Sequence, residues 1–433
     1  MTSEVRQREG VQDTPRQAAP RSADPAVSME APWRWPMMLA MAVAFLAWLL
    51  TNIDQSMFGY AIPDIRKEFD VGLDVIGIVI STSFVVGAVV PVAIGSLTDR
   101  LGPRLMLPVC LVSSALLIGC LGLSRSFPVF AALRIASFGF SASLSPITNT
   151  IVAAASPRRA RALLIALLQC AYPVAWFLAS LLVTPLLAGH GWRSLFLVGF
   201  AVAVVALPLG LLIPRDVLSP RSDRRRLAGV ESPIATLLSA PYRRTTVLTG
   251  LTLFFNAGAV AATAFFLPTF LHEVRGYTVS ASAVVVGSSY GISVIGYLGS
   301  ALVSMYLLSR RDTIALFNLV AAGLFLGMVW LPTSFEQDVI AFGVTAIFFY
   351  GVSAIMITYV LESFPAALRT TAAALSGTAC VSASMVVFPY LTTRLVALLG
   401  WQVSFTLIVP PALLLSSLAV LRLPRRPIAD ESV

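Results

Sequence analysis

The chain is 433 residues long, with 57% hydrophobic and 12% charged residues and a mean hydropathy of +0.85. Soluble domains carry about 25% charged residues, so about half the usual means of facing water is missing, which excludes a pair of water-soluble domains. The formal charge of +9 would suit nucleic acid, but its distribution along the chain argues against that partner.

Residues 1–35 are polar and rich in Arg, Pro and Ala, and read as a disordered cytoplasmic tail. Six apolar runs follow, over 36–62, 75–97, 104–123, 127–154, 160–186 and 193–213. Each is long enough to cross a hydrocarbon layer of ~30 Å as a helix. The first exceeds a signal-peptide core and has no clear cleavage site. A polar stretch over 214–243 contains Arg221, Arg224, Arg225 and Arg226 and reads as a cytoplasmic linker touching anionic lipid. Six more runs occupy 244–271, 280–307, 313–332, 336–361, 367–395 and 401–421, and residues 422–433 form a second cytoplasmic tail. The expectation is an all-α membrane protein of twelve transmembrane helices in two six-helix bundles, 36–213 and 244–421. With twelve crossings, 23 of the 30 Lys and Arg residues fall on the side of the termini, six on the other side, and Arg134 within a span. This asymmetry places both termini in the cytoplasm. A plasma (inner) membrane location and a monomeric, multi-pass chain are the accompanying expectations.

An internal repeat supports the division. Ser156-Pro157 to Arg161 matches Phe364-Pro365 to Arg369 in P-x-x-x-R, and Gly191-Trp192 matches Gly400-Trp401. Pro214-Arg215 matches Pro424-Arg425, and all three offsets lie within 208–210. A parallel duplication of this kind suits two bundles rocking about a site at the midplane.

Asp54 is the one acidic residue deep in a span, and Arg134 the one basic residue. On insertion scales a charge at the bilayer centre costs ~2.5–3.5 kcal/mol, so each requires a partner or a function. Counted at 1.5 Å per residue, Asp54 lies about 12 Å and Arg134 about 10.5 Å from the outer face. Matching depth in one six-helix half suggests a pair or a shared cavity, serving either helix packing or proton and substrate coupling. Span four carries a polar stripe from Arg134 through Ser141, Ser145 and Asn149, and span seven carries Thr249, Asn256 and Thr263. As stripes they suggest faces turned toward a wet cavity, although single Ser and Thr residues more often bond their own helix. Gln55, Gln169, Tyr290 and Tyr350 are further mid-depth candidates for contact with a solute. Cys110, Cys120, Cys170 and Cys380 sit in apolar runs without zinc-site spacing and read as packing residues. No metal cluster or nucleophile triad stands out, so neither an enzyme nor a metal or organic cofactor is expected.

Between spans two and three stands Gly95-Ser-Leu-Thr-Asp99-Arg100-Leu-Gly102-Pro103-Arg104. Gly95 suits a close helix approach, Gly102 a turn with positive φ, Pro103 the first turn of a helix, and Asp99 hydrogen bonding at a helix N-terminus. This stretch resembles the G-x-L-x-D-R-x-G-x-R signature of the major facilitator superfamily. The resemblance implies the major facilitator fold, secondary active transport by alternating access, and a latch on the cytoplasmic side formed by this loop. The corresponding loop of the second half, Gly299 to Asp312, is degenerate. Asn52-Ile-Asp54-Gln55-Ser56 with Ala61-Ile-Pro63 and Glu68-Phe69 resembles the first helix of the anion:cation symporters. That likeness implies Asp54 as the proton-linked acid and Arg134 as the residue meeting a substrate carboxylate. At two positions the chain departs from the pattern: Gln55 stands where Arg usually follows the Asp, and Ser141 where a Glu is often found. Phe266-Leu-Pro268 and Phe364-Pro365 to Arg369-Thr370 are similar to aromatic-acid:proton symporters and related metabolite carriers. Together these resemblances imply proton-driven uptake of a small organic anion. The alternative is proton-coupled efflux of a small amphipathic compound or drug, although span five, Leu168 to Trp176, has a proline but none of the glycines typical of drug antiporters.

Overall fold

The computed structural model describes residues 35–156, 161–213, 233–332, 334–365 and 368–425. Most of both expected tails, most of the linker and residues 157–160 lie outside these residues.

The first six spans are α1 (Trp35–Phe69), α2 (Leu73–Leu101), α3 (Pro103–Leu121), α4 (Phe127–Ala155), α5 (Arg161–Gln169 continuing as Ala171–His190) and α6 (Arg193–Ala206 with Leu209–Leu212). The second six are α7 (Ala240–Thr263), α8 (Val279–Tyr306), α9 (Arg310–Trp330), α10 (Phe335–Gly351 with Ser353–Glu362), α11 (Arg369–Ala372, a π-helical stretch Ala373–Ala379, and Cys380–Leu399) and α12 (Trp401–Leu421). Among the described residues these twelve are long and apolar enough to cross a bilayer. The protein is therefore a multi-pass membrane protein. Large exposed aliphatic side chains such as Val92, Leu211 and Leu398 suit contact with lipid rather than water.

The first span runs seven residues past its sequence-predicted end at 62, because Pro63 is absorbed within the helix and Asp64 to Glu68 form its polar last turns. Turn chemistry sets other ends. Gly102 has φ +86, closed to most side chains, and Pro103 opens α3 at a position where its missing N–H costs nothing. Gly95, in contrast, has nothing within 4 Å of the point a Cβ would occupy, so it supports no close helix approach in this conformation. Asp99 falls in the last turn of α2 rather than at a helix N-terminus.

Each half packs mainly within itself: α1 against α4 and α5, α3 against α4 and α6, α7 against α12, and α9 against α12. The halves meet along two seams, α2 with α11 and α5 with α8. In the second seam Gly287 lies directly under the Ser180 side chain, where even a methyl group would collide.

The repeat has a structural counterpart at the face away from the termini. Trp192 Nε1 donates to Glu68 (2.6 Å) in the first half, and Trp401 Nε1 donates to Glu273 (2.7 Å) in the second. Each tryptophan follows a positive-φ glycine, Gly191 or Gly400. The two carboxylates then diverge: Glu68 also takes Arg193 of its own half, whereas Glu273 reaches across to Arg66. Asp74 and Arg394 also pair across the halves, at 3.6 Å. In the second half Tyr277 donates to the fully buried Asp338 (2.7 Å). Burial, reinforced by this carboxylate, pushes the Tyr277 phenol up to about 12 and keeps it a neutral donor.

The Arg66–Glu273 pair is partly exposed, and such pairs contribute ~0–1 kcal/mol. Charge-reversing Arg66→Glu is therefore expected to shift the population toward a far-side-open form by up to ~5-fold, read as alkylation of a cysteine placed at Phe265. Restoration by Arg66→Glu with Glu273→Arg would assign the shift to this pair; equal labelling in single and double variants would remove the pair from gating.

Candidate functional site

Helix α1 is polar over one turn at its middle. Thr51 and Asn52 satisfy themselves on the carbonyls of Ala47 and Trp48, while Asp54 and Gln55 project onto α4. There Arg134 Nη1 stands 3.7 Å from Asp54 Oδ2, and Nη2 donates to Gln55 Oε1 at 2.7 Å. Gln55 Nε2 in turn donates to Ser141 Oγ at 3.4 Å. The structure thus joins four of the residues singled out in the sequence, Asp54, Gln55, Arg134 and Ser141, in one polar cluster between α1 and α4.

The Arg134 side chain is 2% exposed and that of Asp54 12%. The Phe58 ring lies under the guanidinium at 4.3 Å and Phe138 flanks it at 5.8 Å, contacts that favour a cation while excluding water. A separation of 3.7 Å gives charge attraction without a hydrogen bond. Both Asp54 oxygens, and Nε and Nη1 of Arg134, have no hydrogen-bond partner among the described residues. Within a membrane, unmet polar groups of this kind cost several kcal/mol each. A buried pair with so much unused capacity is poor as a packing device and well suited to exchanging partners.

Toward the far face the site is roofed by rings from both halves. Trp176 of α5 lies 4.7 Å from Tyr290 of α8, which stacks on Tyr350 of α10 at the same spacing. Tyr350 donates to the Tyr290 hydroxyl (3.0 Å), and Phe265 bridges Trp176 to Phe58. All these rings are nearly or fully buried, and Trp176 Nε1 and the Tyr60 hydroxyl have no hydrogen-bond partner among the described residues. Tyr290 and Tyr350 therefore sit in a seal between the halves. Sequence reasoning missed Trp176 and Phe58; a signal available for Trp176 was the i, i+4 aromatic pair Tyr172 and Trp176 on α5.

Other candidates are placed elsewhere. Asn256 faces the interior of the second half, donating to Asn318 (3.0 Å), which donates to Ser416 (3.0 Å), which donates to the Thr252 carbonyl (2.8 Å). It is a packing residue here, not a cavity-lining one, and Thr249 and Thr263 bond their own helix. Asn149 likewise bonds the Ser145 carbonyl. Gln169 is exposed where α5 breaks at Cys170, away from the cluster. In the α2–α3 loop, Arg100 is exposed, while Arg104 donates to the carbonyls of Gly210 and Leu211 at the end of α6. That bond fastens the loop within its own half. The side chains of Asp99, Arg161 and Arg369 lie outside those described.

The sequence profile described as the Major Facilitator Superfamily matches residues 44–385. The chain belongs to the major facilitator superfamily. It is a membrane transporter, then, and not an enzyme. Among similar proteins is the cis,cis-muconate transport protein of Acinetobacter baylyi, 27% identical over 343 residues, covering 77% of this chain and 82% of that one. The gallate transporter of Pseudomonas putida is 25% identical over 342 residues, covering 68% and 75% respectively. The solved structure of a D-xylose-proton symporter superposes with a TM-score of 0.72 at 16% identity, covering 90% of this chain and 99% of that one, a likeness of fold.

Proposed function

We propose that this major facilitator is a proton-coupled symporter that takes up a small organic anion by alternating access. The observation carrying the reading is the buried Asp54–Arg134 pair, close enough to attract and too far apart to be hydrogen-bonded, with Nε and Nη1 of Arg134 unpartnered among the described residues. The printed names of the two relatives above add support, since muconate and gallate both bear carboxylates. The excess of arginine on the terminal side supports cytoplasmic termini in the plasma (inner) membrane, which makes the face closed by Arg66 and Glu273 the external one. In the scheme, the outward-open carrier protonates Asp54, which releases Arg134 to hold the substrate carboxylate. The halves then rock, the proton leaves to the cytoplasm, and the restored Asp54 carboxylate competes the substrate off. The proton gradient supplies the energy, no cofactor takes part, and one chain suffices.

The test is uptake of labelled organic acids into proteoliposomes under an inward proton gradient. Accumulation abolished by a protonophore is the expected result. Accumulation indifferent to the protonophore, or extrusion of acids driven by the inward proton gradient, would overturn the proposal.

A further inference from the structure

The donor and acceptor inventory around Arg134 settles more than the pairing. A guanidinium has five N–H groups and no acceptor. Whatever atom of Gln55 faces it at 2.7 Å must therefore be the amide oxygen, as the structure has it. The amide NH2 is thereby turned to Ser141, and the Ser141 oxygen must accept. The guanidinium end alone forces this orientation, since a serine hydroxyl can face either end of an amide.

One consequence concerns the edges of the guanidinium. A carboxylate can bind it in two-point fashion along the Nη1–Nη2 end or along the Nε–Nη2 side, each edge using a different Nη2 hydrogen. Gln55 takes one Nη2 hydrogen, and among the described residues Nε and Nη1 have no hydrogen-bond partner. Asp54 stands at Nη1. We infer that Gln55 is a positioning residue which, steadied by Ser141, takes one Nη2 hydrogen and leaves Arg134 a single two-point carboxylate edge, so that Asp54 and a substrate carboxylate exclude one another. The inference rests on the proposed reading of Arg134 as the substrate's anchor. In that reading coupling needs exclusion: a guanidinium free to hold Asp54 at one end and substrate at the other would bind substrate whether or not Asp54 carried a proton.

The surroundings isolate the effect. Around Asp54, α3 contributes Leu111, Ser114, Ala115 and Ile118, and α6 contributes Leu195, Val198, Gly199 and Val202, none of them titratable in the working range. From α4 the charged group facing it is Arg134, and on α1 itself the neighbours are Thr51 and Gln55. A proton-dependent affinity therefore reports competition at one guanidinium edge.

The experiment measures equilibrium binding of benzoate, gallate and cis,cis-muconate to the full-length protein in nanodiscs, without a gradient, over about two pH units. Exclusion by one carboxylate predicts affinity that weakens with rising pH, approaching tenfold per unit once Asp54 is ionised. Gln55→Leu frees Nη2 for a second edge and is expected to cut that dependence to less than about threefold over the whole range. Ser141→Ala, which only unlocks the amide, is expected to fall between; it decides the matter if Gln55→Leu does not fold. A wild-type pH dependence retained unchanged in both variants overturns the inference and leaves proton-coupled uptake standing. Binding by the wild type that is independent of pH, or no binding of any of the three acids, overturns both. Loss of affinity equal at every pH would mark Gln55 as a packing residue and also overturn it.

Discussion

Replacing Arg134 by glutamine is expected to abolish uptake of any carboxylate substrate, by at least about 100-fold in kcat/KM. Two charge-assisted hydrogen bonds to a carboxylate are worth ~1.5–3 kcal/mol each, and glutamine offers one neutral amide in their place. The second effect falls on stability. Arg134 is buried opposite Asp54, and removing one member of a buried pair leaves the other uncompensated, at ~3–5 kcal/mol. The combination Arg134→Gln with Asp54→Asn should recover most of that stability, measured as the midpoint of detergent or thermal unfolding, while uptake stays absent. Arg134→Lys should hold the charge and much of the stability but lose the planar fork, raising KM by ~10–100-fold. Should Arg134→Gln transport acids normally, the carboxylate site lies elsewhere, and the unpartnered nitrogens of Arg134 would require another explanation.

The depth of a residue in a membrane helix was easy to read from the sequence, and its azimuth was not. Asp54 and Arg134 stood out because charges are scarce in apolar runs, and counting from span ends gave similar depths. Their helices indeed bring them together. Asn256 also stood out as a polar residue in an apolar span, yet it faces Asn318 and Ser416 inside the second half. A stripe repeating every seven residues defines one side of a helix without saying which neighbour that side meets, and this is decided by packing among twelve helices. The contact of Gln55 with Arg134 belongs to the same category: two neighbours in sequence, Asp54 and Gln55, converge on one guanidinium only because α1 and α4 cross there. The fold itself was legible for the opposite reason. Length, hydropathy and Gly–Pro junctions such as Gly102-Pro103 are local properties, and the structure places its helix ends close to them. The exception, the prolongation of α1 to Phe69, arises because charged residues continue a helix once it leaves the hydrocarbon.

The aromatic roof links the polar cluster to the moving parts. Phe58 lies one turn beyond Asp54 on α1 and touches both Arg134 and Phe265, and Phe265 touches Trp176, which meets Tyr290 across the seam. Opening the far face must separate Trp176 from Tyr290, since they belong to different halves. A carboxylate drawn to Arg134 would thus arrive beneath a surface of ring faces, which favours flat unsaturated acids over saturated ones of equal charge.

Asn in place of Asp54 is the substitution that separates binding from coupling. Asparagine matches the protonated acid in shape and charge, so Arg134 would stand permanently released and substrate binding should persist. What disappears is the drive. For one proton per monoanion, each unit of pH gradient is worth about 1.4 kcal/mol, hence about tenfold accumulation. Asp54→Asn should reduce that ratio to equilibration while exchange of internal for external substrate continues near the wild-type rate. The charge on Arg134 would lose its counterion, a cost eased by the Phe58 face and the Gln55 oxygen that already engage it. The sign also follows for binding: affinity in the wild type weakens as pH rises and Asp54 ionises beside Arg134, whereas in Asp54→Asn it should be flat. Accumulation by Asp54→Asn that still follows the pH gradient as in the wild type would take Asp54 out of the coupling step. Arg134 would then be a substrate anchor whose neighbour serves only to balance its charge during folding into the membrane.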